Sequence, residues 1–113
     1  MSAPSALRLH AVLLREGPAA TQRCELYLNC LSPYGPWQVQ TYAGTDGRHP
    51  ERASPQEPVD REVRAQFVAD SIEAALRRDG YRRVHDAPAI WHLRALHDAR
   101  DATQHIDPHQ RLG

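Results

Sequence analysis

The sequence contains no lysine, and all fourteen of its basic side chains belong to arginine. This absence excludes reactions that need a lysine amine, such as Schiff-base formation, phosphate binding by a Walker lysine and serine–lysine catalysis. The sequence also lacks the G-x-S-x-G, G-x-x-x-x-G-K-[ST], G-x-G-x-x-G and H-E-x-x-H motifs of hydrolases, nucleotide-binding proteins and metalloproteases. No residue has a predicted catalytic role, and a non-enzymatic protein is expected.

The chain also lacks an excess of charge of either sign and any long hydrophobic run. Its net charge is zero, so no global field attracts nucleic acid or an anionic membrane, and a basic site must be local. No apolar run approaches the roughly 20 residues that span a bilayer. Because Arg8 and His10 interrupt the apolar start, no signal peptide is predicted. We expect a soluble protein in the cytoplasm of a bacterial-type cell.

Only two cysteines are present, Cys24 and Cys30. They are six residues apart in one predicted strand, which separates them by about 20 Å when the strand is extended. A disulfide allows only about 7 Å between its two Cα atoms, so these residues are not expected to pair. Their pattern is typical of reduced core residues rather than of metal ligands or nucleophiles.

The apolar pattern predicts one α+β domain over residues 1–103, followed by a disordered tail at 104–113. Alternation of apolar and polar residues predicts an antiparallel sheet. Its strands are expected at about 7–14, 22–31, 37–42 and, for a short strand, 81–85. One face of the first strand is predicted to carry Leu7, Leu9, Ala11 and Leu13. One face of the second is predicted to carry Cys24, Leu26, Leu28 and Cys30.

The segment 43–57 has no apolar period and is interpreted as a long loop, either mobile or functional. The next segment, about 58–79, is the best-defined predicted helix. Its buried arc is expected to consist of Ala65, Val68, Ile72 and Leu76, flanked by Phe67, Ala69 and Ala75. The opposite, wet face is expected to carry Glu62, Gln66, Asp70, Glu73 and Arg77.

The sequence also predicts where the main helix ends and that a second helix follows it. Gly80 is predicted to end the main helix in the left-handed conformation, with Tyr81 folded back on Leu76. A second helix is favoured at about 88–103, although the alternation of Trp91, Leu93 and Ala95 leaves a strand open. The apolar residues that favour this helix are Ile90, Leu93 and Leu96.

Three features occur in a recognisable order between residues 23 and 84. They are the turn Pro33-Tyr-Gly-Pro-Trp37, the segment Tyr42-Ala-Gly-Thr-Asp-Gly-Arg48, and the helix with Phe67 that ends at Gly80-Tyr81. This order resembles the WGR domain, a sheet-plus-helix module found in poly(ADP-ribose) polymerases and in small bacterial proteins. The resemblance implies contact with DNA ends, as some members make. The Trp-Gly-Arg signature is replaced by Tyr42-Ala43-Gly44, so the residues of that contact are not retained.

Four arginines surround an aromatic residue at the end of the main helix. Guanidinium groups present forked donors that suit phosphate, and an exposed aromatic ring can stack on a base. The same pattern is also typical of a helix C-terminus followed by a solvated strand edge. The leading hypothesis is a binding module for an anionic partner, either nucleic acid or an acidic protein. Its predicted binding residues are Arg77, Arg78, Tyr81, Arg82, Arg83, Arg48 and Tyr42.

Two alternatives stay open at this stage. A protein-interaction domain or homodimer would use apolar surface such as Trp37 or Trp91. A metalloprotein or small enzyme would use residues such as His97, Asp101 and His105, which share one helical face. These three ligands would be spread along about 12 Å of helix, so they cannot readily converge on one ion from one straight helix, whereas two of them could with a third ligand from elsewhere. No cofactor and no metal are therefore expected.

Overall fold

The computed structural model describes residues 6–33 and 35–104, which form a five-stranded antiparallel sheet with a helix on each face. The predicted α+β class is confirmed. The sheet order is β4-β3-β2-β1-β5, and neither helix is long and apolar enough to cross a membrane within the described ranges. The elements are β1 (Ala6–Glu16), β2 (Thr21–Cys30), β3 (Trp37–Thr45), β4 (Arg52–Pro55), α1 (Glu62–Arg78), β5 (Arg82–Arg83) and α2 (His92–Gln104).

The central strand β2 is buried on both of its faces. Leu26 and Leu28 lie on the face that α1 covers, as the alternation predicted. Glu25 and Tyr27 lie on the opposite face, where α2 covers them. Polar residues in this strand therefore do not mark a solvated surface, and they need hydrogen-bond partners inside the protein.

The prediction that Leu7, Leu9, Ala11 and Leu13 share one face of β1 is wrong. Leu9 lies opposite Tyr27, but Ala11 lies opposite Leu26, so His10 is an extra residue in a β-bulge. The bulge reverses the alternation: Leu7 packs on the α2 side, whereas Ala11 and Leu13 pack on the α1 side. It also directs the His10 side chain towards α1.

The predicted loop at 43–57 is also wrong over much of its length. Strand β3 continues to Thr45, and β4 pairs with it in an antiparallel register after a turn that contains Gly47 at φ +84°. All four residues of β4 are exposed at the sheet edge. A fully exposed edge strand has no apolar face, which is why no period marks it in the sequence.

Helix α1 begins at Glu62, four residues later than predicted. The backbone of Val59 exchanges two hydrogen bonds of 2.7 Å with Trp37, which holds the preceding segment extended. The predicted buried arc of Ala65, Val68, Ile72 and Leu76 packs against the core. Two other positions differ from the prediction: Phe67 is 72 % exposed, whereas Glu73, expected in solvent, is only 7 % exposed. The most deeply buried positions recur every four residues at Ala65, Ala69 and Glu73.

The predicted end of α1 is confirmed. Gly80 has φ +95°, and the Tyr81 N–H donates to the carbonyl of Leu76 at 3.0 Å, as in a Schellman motif. Tyr81 is buried against Leu76. The short strand that follows is reduced from the predicted 81–85 to β5, which pairs with Leu13 and Leu14 of β1.

The second predicted helix is confirmed as α2, although it begins at His92 rather than at 88. The Ile90 and Trp91 N–H groups donate to Glu25, which fixes the chain before the helix. Ile90 and Leu93, two of the apolar residues whose spacing favoured this helix, are exposed. The buried positions are instead Trp91, Ala95 and Ala99. Residues 105–113 of the predicted tail lie outside the described residues.

Candidate functional site

The four arginines predicted to form a cluster meet where α1 ends and β5 joins the sheet. We call Arg77, Arg78, Arg82 and Arg83 the arginine surface. Arg83 lies opposite Leu13, whose side chain faces α1, so Arg83 points to the α1 face and Arg82 to the other face. The arginine surface therefore wraps around the edge of the sheet.

Two of these arginines are held by groups of the protein itself. Arg77 Nη2 lies 2.8 Å from Glu73 Oε2, and Arg83 Nη1 lies 3.7 Å from Glu73 Oε1. Arg83 Nη2 also donates to the carbonyl of His10 at 2.7 Å. Since Glu73 is nearly buried, these contacts fix the two guanidinium groups. The negative charge of Glu73 also neutralises part of the positive charge of Arg77 and Arg83.

The other two arginines are free to meet a partner. Arg82 Nη2 lies 4.0 Å from Glu16 Oε1. The two side chains are 76 % and 84 % exposed, so this ion pair is weak. Arg78 is exposed and makes no hydrogen bond or ion pair with any residue in the described ranges. Arg78 and Arg82 are thus the available donors of the arginine surface.

The aromatic residues predicted to join the arginines are not accessible. Tyr81 is buried, and the Arg15 guanidinium lies 4.7 Å above its ring centre. Tyr42 is buried too, and its hydroxyl donates to Asp98 Oδ2 at 2.8 Å. Burial raises the pKa of both phenols above its ordinary value, so both stay neutral donors. Neither ring can stack on a base.

Arg48 is not brought to the arginine surface. It lies in the turn between β3 and β4, whereas Arg82 lies on β5 at the opposite edge of the five-stranded sheet. The carbonyl of Arg48 accepts a hydrogen bond of 2.7 Å from Trp91 Nε1. This residue therefore belongs to the packing of the α2 face.

A second group of polar side chains, which the sequence did not predict, lies beside the arginine surface. His10 Nε2 lies 3.1 Å from Asp70 Oδ1 and 3.9 Å from Glu73 Oε1. Asp70 and Glu73 are three residues apart on α1, and the bulge in β1 brings His10 to them. The helical i,i+3 spacing of the two acids is visible in the sequence, but the bulge is not.

A polar groove of about 410 Å³ lies between the β3–β4 hairpin and α2. At its base Gln40 is 3 % exposed, and its Oε1 accepts no hydrogen bond from any described residue. Asp98 Oδ2 accepts hydrogen bonds from the Tyr42 hydroxyl and from Arg94 Nε, at 2.8 and 3.0 Å. The groove thus combines fixed hydrogen-bond donors and acceptors with one buried acceptor, Gln40 Oε1, that has no donor among the described residues.

The two tryptophans considered for protein interaction do not form an exposed surface. Trp91 is buried, and Trp37 is half-buried against the core beneath α1. The large apolar side chains that are well exposed are Val63 and Phe67 on α1 and Leu93 on α2. For the alternative metal site, His97 and Asp101 lie on α2, and His105 lies outside the described residues.

The model of the PA4575-like protein family matches residues 7–111. No curated protein and no solved structure matches the chain significantly. The resemblance to the WGR domain therefore stays a prediction. Because the family match covers nearly the whole sequence, the chain belongs to the PA4575-like protein family.

Proposed function

We propose that this PA4575-like protein is a non-enzymatic binding domain that recognises an anionic partner through its arginine surface. The observation that carries the proposal is the exposure of Arg78 and Arg82 beside two further arginines anchored by Glu73. Guanidinium groups bind phosphate and carboxylate through paired N–H donors. A preordered pair accompanied by two exposed arginines suits an extended anion better than a single small ion.

Burial of Tyr42 and Tyr81 narrows the kind of partner. Sequence-tolerant binding of single strands depends on stacking between bases and aromatic rings. Without an accessible ring beside the arginines, binding relies on charge and on paired hydrogen bonds alone. Duplex nucleic acid, contacted through its phosphates, is therefore the form of the proposal to test first, and an acidic protein is its rival.

The test is a titration of a short DNA duplex, a single strand of the same length and a polyglutamate peptide, followed through backbone amide shifts. We expect duplex-induced shifts to cluster at residues 77–83 and the affinity to fall as salt is raised. Each phosphate contact contributes about 0.9 to the slope of log affinity against log salt concentration. Substituting R78Q and R82Q together should therefore lower the slope by roughly 1.8.

The matched control is R100Q, since Arg100 is an exposed arginine on α2. This variant should bind the duplex as the unaltered protein does. An equal loss of duplex affinity in R100Q and in the double variant would show nonspecific charge attraction and contradict the proposal. Shifts at 77–83 with polyglutamate but not with the duplex would identify the acidic protein as the partner.

The groove favours a second candidate function, the binding of a small polar molecule. The carrying observation is the unpartnered Oε1 of Gln40, because an unsatisfied buried acceptor is costly unless a ligand or water supplies a donor. A thermal-shift screen of amino acids, nucleosides and sugars tests this function. A stabilising compound should lose its effect in Q40M, and a screen without any such compound would leave the arginine surface as the single candidate.

A further inference from the structure

We propose that His10, Asp70 and Glu73 form a binding site for a divalent cation of the zinc class. This inference goes beyond the proposed function and does not depend on it. The three side chains offer one imidazole nitrogen and two carboxylate oxygens, a donor set used by zinc and by iron. Their candidate ligand atoms all lie within 4.8 Å of one another.

The geometry is close to that of a tetrahedral site. Two ligand atoms at 2.0–2.1 Å from a tetrahedral zinc ion are roughly 3.3 Å apart. The distance from His10 Nε2 to Asp70 Oδ1 is 3.1 Å, and the distance to Glu73 Oε1 is 3.9 Å. All three separations are within 4.8 Å, so a contraction of at most about 1.5 Å, which side-chain rotation can supply, would bring the three atoms to one ion with the fourth position open to water.

Glu73 provides a second and independent observation. Its side chain is 9 % exposed, and its Oε1 accepts no hydrogen bond from any residue in the described ranges. A buried carboxylate oxygen without a hydrogen-bond donor is costly, and the Arg83 guanidinium at 3.7 Å compensates it only in part. This same oxygen faces His10 Nε2, so the atom that lacks a hydrogen bond is the one directed into the proposed site.

Two arginines also contact Glu73, and their roles differ. Arg77 lies 2.8 Å from Oε2, the oxygen that does not face His10, and it would orient the carboxylate as outer groups do around metal ligands. Arg83 Nη1 lies 3.7 Å from Oε1, beyond hydrogen-bond distance, and its charge weakens cation binding. We therefore expect micromolar affinity rather than the tighter binding of a structural zinc site.

Asp70 makes the site accessible. Its side chain is 68 % exposed, in contrast to Glu73 beneath it, so a cation can enter from solvent through Asp70. The exposure also makes Asp70 the best position for a test. Replacing it by asparagine removes one ligand charge without disturbing the core, whereas changes at Glu73 would also break the contacts with Arg77 and Arg83.

The experiment is calorimetric titration of zinc chloride into the full chain without an affinity tag. We expect saturable one-to-one binding, and a loss of at least about tenfold in affinity in D70N, since even groups that only support a ligand contribute 10–100-fold. The His10 ring nitrogens should shift on zinc addition in long-range ¹H–¹⁵N spectra, and H10N should remove that signal. Magnesium, which prefers oxygen ligands and retains its waters, should bind much more weakly.

The matched control is H97N, because His97 is an exposed histidine on α2 far from the site. It should bind zinc as the unaltered protein does. Zinc affinity that is unchanged in D70N, or lowered as much in H97N, would overturn the proposal. Failure to find saturable micromolar binding would overturn it as well. If H10N does not fold, D70N alone still decides between these outcomes.

Discussion

Arg23 donates through Nε to the Glu25 carboxylate at 2.7 Å, and neither side chain reaches solvent to a significant extent: Arg23 is 4 % exposed and Glu25 0 %. Glu25 also accepts hydrogen bonds from the Tyr27 hydroxyl and from the N–H groups of Ile90 and Trp91. This buried pair therefore joins the central strand β2 to the start of α2.

Removing the charge of Glu25 should destabilise the protein strongly. In E25Q, Arg23 would lose its buried counter-ion and keep only the partly exposed Asp46, and breaking a buried pair costs about 3–5 kcal/mol. The measurement is the free energy of unfolding in urea. The control is D46N, because Asp46 pairs with the same arginine at 3.0 Å but is partly exposed, and its loss should cost less than about 1 kcal/mol. Equal costs in the two variants would contradict a special role for Glu25.

Alkaline pH should destabilise the fold. Burial is the main cause that raises the pKa of Tyr27 and Tyr42, and hydrogen bonds to Glu25 and Asp98 raise it further. The folded state keeps these protons while the unfolded chain loses them above about pH 10. Stability is therefore complete below pH 10 and falls above it, by up to about 1.4 kcal/mol per pH unit for each tyrosine.

Urea unfolding between pH 8 and 11 measures this dependence. The variant Y42F should show a smaller slope above pH 10, because one of the buried phenols with a raised pKa is gone. Its stability at pH 8 should fall by about 1 kcal/mol, since the hydroxyl loses its hydrogen bond to Asp98. A slope that is unchanged in Y42F would show that this tyrosine is not protected in the folded state.

The two cysteines should differ in reactivity. Cys24 is buried, and desolvation is the main cause that raises the pKa of its thiol, so little thiolate forms at neutral pH. Cys30 is only partly buried. A thiol reagent such as DTNB should modify Cys30 first in the native protein and reach Cys24 only on unfolding. Mass mapping of the modified residue, with C30S as the control, checks the order.

Substitutions on the exposed side of α1 should change stability much less than substitutions on its buried side. Phe67 is exposed, so F67S should change the free energy of unfolding by no more than about 0.5 kcal/mol. Ala69 is fully buried against the sheet, and A69L should cost about 1–3 kcal/mol through overpacking. Thermal and urea unfolding of both variants test the observed orientation of the helix. A cost in F67S comparable to that in A69L would instead indicate that Phe67 packs on the core beside the buried arc, as the apolar pattern predicted.

The sequence predicted those parts of the fold that local rules control. The Schellman ending at Gly80 and Tyr81 depends on one glycine and one contact five residues away, and it was predicted correctly. The alternation in β2 was also correct. The buried arc of α1 was predicted as well. The burial of Glu73 was not, because this side chain is stabilised by His10, Arg77 and Arg83 rather than by its own hydropathy.

The candidate sites were less predictable because they depend on contacts between distant residues. The four arginines are close in sequence, and the structure brings two of them, Arg77 and Arg83, to the same carboxylate of Glu73. Arg48 was predicted to belong to the same binding site, although no local pattern in the sequence supported this. The sheet order places Arg48 near the opposite edge of the sheet. The proposed cation site joins residues sixty positions apart. It depends on a β-bulge at His10 that no composition or periodicity marks.

The shortness of β5 has a consequence for self-association. It pairs only with Leu13 and Leu14, so within the described chain the outer edge of β1 from Ala6 to Leu9 has no partner strand. Such an open edge can recruit a strand from another molecule and seed aggregates. The bulge at His10 interrupts the ladder there, and the Arg83 guanidinium occupies the carbonyl of the same residue. The irregularity that brings His10 to α1 is thus also one that hinders strand pairing at this edge.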